Sequence, residues 1–259
     1  VSGQNLVYAD NDGNIGQISA YTQPLLKDPS ATLDLIKTAG NSIEGGIDSY
    51  DLPYSYNPPS GYIASANNLP YPTEIPIAFE YSGYNRMLRM TAVCDSIDSI
   101  TIETLVDLQT DVMSYQALKL RDLILEKLAG DYDQYQDLDK EYWESFVSWD
   151  GNYDVSSRGA VAFETMMYFF STTIIGKYYP EEYMQSFFMN DYRWVVLLPK
   201  LIEKESAQSL SSNQHSALKQ GKKYFKKYRT CGEMHRLVFG SPLEGITLIG
   251  KKIILSDIC

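Results

Sequence analysis

The amino end of the chain carries an amide and several carboxylates whose spacing could support chemistry. Asn5 comes first, and Asp10, Asp12 and Asn14 follow at alternate positions. An amide NH2 group donates hydrogen bonds without carrying a charge, so it can stabilise a developing oxyanion. Alternating Asp and Asn oxygens are also typical of the start of a calcium loop, but the distal Glu of that loop is absent. Turn formation is the favoured interpretation of Asp10 and Asp12, and calcium binding is the alternative.

A predicted β-hairpin positions these side chains. Leu6, Val7 and Tyr8 are strand-forming types. Residues 10–13 supply turn chemistry, because Asn and Asp bond their own backbone and Gly tolerates positive φ. A strand-like pattern resumes after Gly16. By general habit, an Asn beside a hairpin is more often a turn or capping residue than a catalytic one.

The rest of the first 90 residues is predicted to form strands and long loops. Pro and Gly are dense from 45 to 76, which argues against helices there. A short amphipathic piece is predicted around 31–39. A short strand is predicted from residue 62 to Asn67 and Asn68, because side-chain character alternates there.

From residue 97 the apolar period changes to three or four, which predicts helices. One long helix or two abutting ones are expected up to Gly130, with Thr101 as the N-cap. A solvated connection is predicted next, over 131–140, and then a short helix over 143–151 and an apolar core helix over 158–177. A helix bent at Pro199 is predicted over 180–203. A polar linker over 206–213 and a basic helix over 217–228 follow. Two final strands are predicted at 246–248 and 253–255.

This order of strands, helices and strands predicts an α+β fold with segregated elements. We divide the chain into a strand and loop segment over 1–96, a helical section over 97–229 and terminal strands over 230–259.

The composition narrows the classes of function. The 259 residues have a formal net charge of −11, which argues against nucleic acid as a general partner. The three cysteines and two histidines show no metal-binding spacing. No signal peptide is visible. The longest apolar stretch, 159–176, is interrupted by Glu164, and it therefore indicates a core helix and no membrane span.

A series of motifs resembles the penicillin acylase (penicillin amidase) family of N-terminal-nucleophile hydrolases. The pattern N-L-V-Y-A-D-x-x-G-N-I-G at 5–16 is similar to the hallmark of that family, and 61–70 is similar to its G-Y-I-x-x-x-N-N-x-P segment. Further landmarks follow in the same order at 108–111, 149–151, 232–236 and 242–243. Each match is short, and their colinear order makes the resemblance specific.

The resemblance implies a four-layer αββα core with a large helical middle section and an amidase mechanism. It also implies that the segment 1–96 contributes to this core and to the active-site wall. In that family an N-terminal Ser attacks the amide carbonyl, and its own α-amino group is the general base. By the motif match, Asn5 donates to the oxyanion. Ser2 lies too close to Asn5 to be the nucleophile, so the nucleophilic Ser is expected outside this chain.

The resemblance also implies partners and a compartment. This chain would be a central-to-late segment of the catalytic chain of a heterodimer made by autoproteolytic processing. A complementary polypeptide would supply the nucleophile, and a small-molecule amide would be the substrate, in the periplasm or outside the cell. No cofactor is expected, although some members bind calcium. Lys27 stands where the family has Arg, and Cys231 stands where it has Trp.

Other residues have two interpretations each. Asn67 and Asn68 match a family motif, either as binding residues or as a structural turn. His235, with Glu233 and Arg236, is either an acid–base cluster or, as we favour, a set of buried hydrogen bonds that fix the terminal strands. The basic run at 219–229 is interpreted as a solvated helix face, with an anionic partner as the alternative.

Two competing functions stay open. The absent Arg suggests a non-catalytic relative that binds acylated small molecules. The acidic, Tyr-rich composition alone would suit a carbohydrate-binding protein.

Overall fold

The structure is a computed structural model that describes residues 5–26, 43–68, 84–128, 133–183, 191–239 and 253–255. The chain divides into two compact units, residues 1–101 and 102–259. Each unit is described by itself. The predicted boundaries at 96/97 and 229/230 stay predictions.

The first unit begins with the expected hairpin. Strand β1 (Asn5–Ala9) pairs antiparallel with β2 (Ile15–Ser19), and a four-residue loop at 10–13 forms most of the turn. Gly13 has φ +83°, a conformation that favours glycine. Strand β5 (Tyr54–Tyr56) adds to the far side of β2, giving the order β1-β2-β5. The hairpin prediction is confirmed.

The remaining elements of this unit are a second small sheet and a helix. Strands β3 (Gln23–Leu26) and β4 (Ile43–Ile47) pair antiparallel. Helix α1 (Asn85–Asp95) follows, where the pattern had predicted loop up to residue 90. The predicted strand over 62–67 is wrong, because those residues have no regular structure and Asn67 has a positive φ. The predicted amphipathic piece at 31–39 lies outside the described residues.

The second unit is largely helical. Its described helices are α2 (Ile102–Thr110), α3 (Tyr115–Lys127), α4 (Asp133–Val147), α5 (Arg158–Ile175), α6 (Asp191–Lys204), α7 (Ala207–Lys227) and α8 (Cys231–Met234). A short 3-10 turn, Glu181–Tyr183, lies where a longer helix was expected to begin. Strands β6 (Leu237–Phe239) and β7 (Ile253–Leu255) pair antiparallel, and the other predicted terminal strand, 246–248, lies outside the described residues.

Helix α5 is the centre of the core, as its apolar sequence predicted. Ser157 caps it by accepting a hydrogen bond from the Ala160 backbone N–H. It packs against α4, α6 and α7. Its fully buried side chains include Val161, Phe163, Met166, Phe170 and Ile174. Helix α5 has apolar residues on most of its faces because other helices cover it on several sides.

Helix α4 corrects the prediction of a solvated connection at 131–140. Tyr135, Tyr142 and Trp143 are essentially fully buried, although acidic residues surround them in the sequence. Asp139 has a non-helical backbone (φ −166°, ψ 99°), and its carboxylate accepts a hydrogen bond from the Tyr142 N–H. The carboxylate thus restarts the helix after a kink, as a capping residue does.

One further prediction changes in the helical unit, and another is confirmed. The polar linker predicted at 206–213 is instead the first half of α7, which Ser206 caps. Of the two alternatives predicted up to Gly130, one long helix or two abutting ones, the structure has two helices, α2 and α3. Between them, at 111–114, Met113 forms a bridge to Asn152. Among the described helices, none combines the length and the apolar character that crossing a membrane requires. The fold is a mixture of helices and small sheets, in agreement with the α+β prediction.

Gly221 is required where α7 crosses α4 and α5. A Cβ at this position would overlap the buried Tyr142 hydroxyl and lie 3.0 Å from the Thr165 carbonyl oxygen. We expect Gly221→Ala to lower the free energy of unfolding by about 1–2 kcal/mol, since overpacking outweighs the helix propensity gained by Ala. Urea denaturation measures this. The matched control, Gln220→Ala, lies exposed on the same helix and should change stability by less than about 0.5 kcal/mol; equal effects would contradict the prediction.

Candidate functional site

Asn5 is the first described residue of β1, and its half-buried side chain faces a buried serine. Asn5 and Ser19 are direct cross-strand partners in the register of the hairpin. The Ser19 hydroxyl donates to Asn5 Oδ1 at a distance of 3.4 Å, and Ser19 is fully buried. Within the residues that the structure describes, Nδ2 of Asn5 donates to no acceptor. Among the described residues, the amide therefore has a donor on its oxygen and no acceptor for its NH2 group.

Asp10 organises the turn that follows Asn5. Its Oδ1 accepts hydrogen bonds from the backbone N–H groups of Asp12 and Asn14 at 3.0 and 2.9 Å. Its Oδ2 accepts from Asn14 Nδ2 at 2.9 Å and from the Tyr8 hydroxyl at 2.6 Å. These four bonds are those of an Asp-stabilised turn. The described residues contain no group of three or more His, Cys, Asp or Glu side chains arranged to hold a metal, and calcium binding by Asp10 and Asp12 stays a prediction.

The four hydrogen bonds make the hairpin sensitive to acid. They lower the pKa of Asp10 from 3.8 to about 2, with the Tyr8 hydroxyl as the largest cause. Because the folded-state pKa is depressed, the stabilisation is complete above about pH 4 and is lost as the pH falls toward 2. We expect the NMR signals of Tyr8 and Asn14 to shift in this window. In Asp10→Asn the shift should be absent, and an unchanged titration in that variant would exclude Asp10 as its source.

Asn57, directly after strand β5, contacts this turn and was missed by sequence reasoning. Its Oδ1 accepts a hydrogen bond from the Ile15 backbone N–H, and its Nδ2 donates one to Asn14 Oδ1. Both distances are 2.9 Å. Asn57 has a φ of +45°, which Asn tolerates better than most residues. The contact spans 42 residues, so no local pattern indicates it. Ser19 was also missed, although counting outward from the turn would have placed it opposite Asn5.

Asn67 and Asn68 form a turn attached to helix α1. One guanidinium nitrogen of Arg86, on α1, donates to the Ala66 carbonyl and to Asn67 Oδ1. Both distances are 3.0 Å. Asn68 is buried, and its Oδ1 accepts from the Ala66 N–H at 2.9 Å. These contacts are structural in kind. A binding role for Asn67 and Asn68 stays a prediction.

The residues around His235 do not form the buried cluster that was favoured. His235 and Arg236 are exposed. Glu233 belongs to the cap of the short helix α8. Its backbone N–H donates to Thr230 Oγ1, and its Oε2 accepts from the Arg229 backbone N–H at a distance of 2.6 Å. The pattern resembles a capping box, except that the Glu233 carboxylate accepts from the residue before the N-cap and not from the N-cap Thr230 itself.

The basic run on α7 is only partly a free solvated face. Lys222 Nζ lies 3.2 Å and Lys226 Nζ 3.9 Å from Asp139 Oδ2. These ion pairs join α7 to the kink of α4, and exposure limits what each contributes. The remaining members, Lys219, Lys223, Lys227 and Arg229, are exposed, as the prediction of a helix face requires.

Comparison with known proteins identifies the family. The penicillin amidase family model matches residues 1–251. A thermostable penicillin G acylase from Alcaligenes faecalis is similar in fold, with a TM-score of 0.69 and 16% identity over 97% of this chain and 53% of that chain. The chain therefore spans about half the length of this solved relative. The curated proteins contain no match. The family match covers nearly every residue, as the motif series predicted, and the chain belongs to the penicillin amidase family.

Proposed function

We propose that this chain is a segment of an amide hydrolase that cleaves linear acyl-amine substrates, with Asn5 donating to the oxyanion. The observation that supports it is the Asn5 amide, whose Oδ1 accepts from Ser19 while Nδ2 has no acceptor in the part of the chain that the structure describes. Family membership and the fold shared with a penicillin G acylase support the reaction class. On this proposal the hairpin sheet belongs to a four-layer αββα core.

The attacking group would be an N-terminal Ser on another stretch of polypeptide. Its hydroxyl oxygen adds to the amide carbonyl, and the hydroxyl proton passes to the free α-amino group, whose pKa lies near neutrality. The carbonyl oxygen becomes an oxyanion that accepts a hydrogen bond from Asn5 Nδ2. As the tetrahedral intermediate collapses, the leaving amine takes the proton from the ammonium group. Water then hydrolyses the acyl-enzyme ester by the same route.

Asn5 suits this task because it is neutral. A cation at the same place would also stabilise the oxyanion, but it would lower the pKa of the nearby α-amino group and weaken it as a base. The side-chain amide donates a hydrogen bond without this cost. The periplasm or the cell exterior is the proposed compartment, and a complementary polypeptide and a small-molecule amide are the proposed partners.

Isolation of the complete protein tests this proposal. Intact mass spectrometry and N-terminal sequencing should find a polypeptide with a free N-terminal Ser, and the preparation should hydrolyse a chromogenic N-acyl amide. Replacing that Ser with Ala should abolish hydrolysis. Tight binding of the amide without hydrolysis by the unsubstituted protein would contradict the proposal and favour the non-catalytic binding module.

A further inference from the structure

We propose that Ser19 is a positioning residue that orients the Asn5 amide, so that Nδ2 and not Oδ1 faces the reacting carbonyl. This inference rests on the proposed function and adds a second residue to it. Ser19 touches no substrate on this proposal. It acts only through the side chain of Asn5.

The hairpin register places the two residues side by side. Asn5 and Ser19 are directly opposite each other, and residues in this relation have Cβ atoms about 4.5–5.5 Å apart on one face of the sheet. Ser19 is fully buried, whereas Asn5 is half-buried. The hydroxyl can thus hold the amide from the protein side and leave its outer side open. At 3.4 Å the contact is long, as active-site hydrogen bonds often are before substrate binds.

The amide needs such an anchor because its terminal torsion is soft. The χ2 rotation of Asn is broad and roughly two-fold, so an unrestrained amide presents either NH2 or C=O to the same point. The carbonyl orientation would place one oxygen against a developing oxyanion and repel it. Preorganised donors stabilise a transition state because they need no reorientation during the reaction.

The direction of the hydrogen bond determines which part of the amide is free. Ser19 Oγ donates to Asn5 Oδ1. An amide oxygen only accepts and an amide NH2 group only donates, so a donor at this place favours the orientation in which Oδ1 faces it. With Oδ1 facing Ser19, the amide presents Nδ2 to its other side.

Kinetics of the complete protein test the proposal. Ser19→Ala should lower kcat about tenfold with KM little changed, a smaller loss than removal of the donor itself. In an Asn5→Ala background the same change should have no further effect on kcat. Ser19→Thr keeps the hydroxyl and should recover most of the loss. The matched control, Ser55→Ala on β5, should leave kcat unchanged.

The outcomes separate this inference from the proposed function. If Asn5→Ala lowers kcat but Ser19→Ala does not, or if Ser19→Ala costs as much with Asn5 absent, the positioning role is wrong. If Asn5→Ala has no effect, the proposed function is wrong. Crystal structures of the parent and Ser19→Ala proteins then test the positioning directly. A rotated Asn5 amide in the variant would support it, and an unchanged one would overturn it.

Discussion

Replacing Asn5 with alanine in the complete protein is expected to lower kcat for a linear amide by about 10²–10³-fold, because one oxyanion donor contributes about 3–4 kcal/mol to the barrier. KM should change little, since the donor acts on charge that develops only in the transition state. Among the described residues, the Asn5 side chain contacts the sheet through one long hydrogen bond, from Ser19, so its removal should leave the hairpin intact.

Steady-state kinetics with a chromogenic amide measure this effect. Asn11→Ala is the matched control, because this asparagine is exposed in the turn of the same hairpin. Its kcat should equal that of the parent protein. A parent-like kcat for Asn5→Ala would show that the amide does not stabilise the transition state. A loss confined to KM would instead assign Asn5 to ground-state binding of substrate.

The hairpin could be predicted because its determinants are local. Strand-forming residues, an Asp that bonds its own backbone and a Gly with positive φ lie within ten positions of each other. The same logic reaches the partner of Asn5, since the turn sets the register. Local sequence does not predict the contacts of Asn57 or Arg86. Asn57 lies 42 positions from its partner Ile15, and Arg86 lies 19 positions from its partner Asn67. Tertiary structure alone brings those side chains to the turns that they hold.

The helical unit shows where composition misleads. Helix α5 is apolar on most sides and was correctly predicted as a core helix. The segments at 131–140 and 206–213 are polar, and they were interpreted as connections. Yet Tyr135 in the first segment and Leu210 in the second are buried. Tyr135 buries its ring and keeps its hydroxyl bonded to Ser211 Oγ at 3.0 Å. A tyrosine in a polar stretch can thus be a core residue once a neighbouring helix supplies a partner for its hydroxyl.

Phe163 illustrates how far the stability of the helical unit depends on α5. Its fully buried ring lies 4.4 Å from that of Trp149 and 6.3 Å from that of Phe146, centroid to centroid. It therefore links α5 to the end of α4 and to the loop that follows. Truncation of a buried Phe to Ala removes the transfer free energy of the ring and leaves a cavity, which together cost about 3–5 kcal/mol.

We expect Phe163→Ala to lower the free energy of unfolding by this amount, which is a large part of the roughly 5–15 kcal/mol of a typical domain. Urea denaturation followed by tryptophan fluorescence measures it, because Trp149 contacts the removed ring. Tyr168→Ala is the matched control, since this aromatic residue lies on the same helix but is 53% exposed. Its effect should be less than half as large. Equal losses in the two variants would contradict the prediction. They would mean that burial against Trp149 and Phe146 does not determine how much Phe163 contributes to the free energy of unfolding.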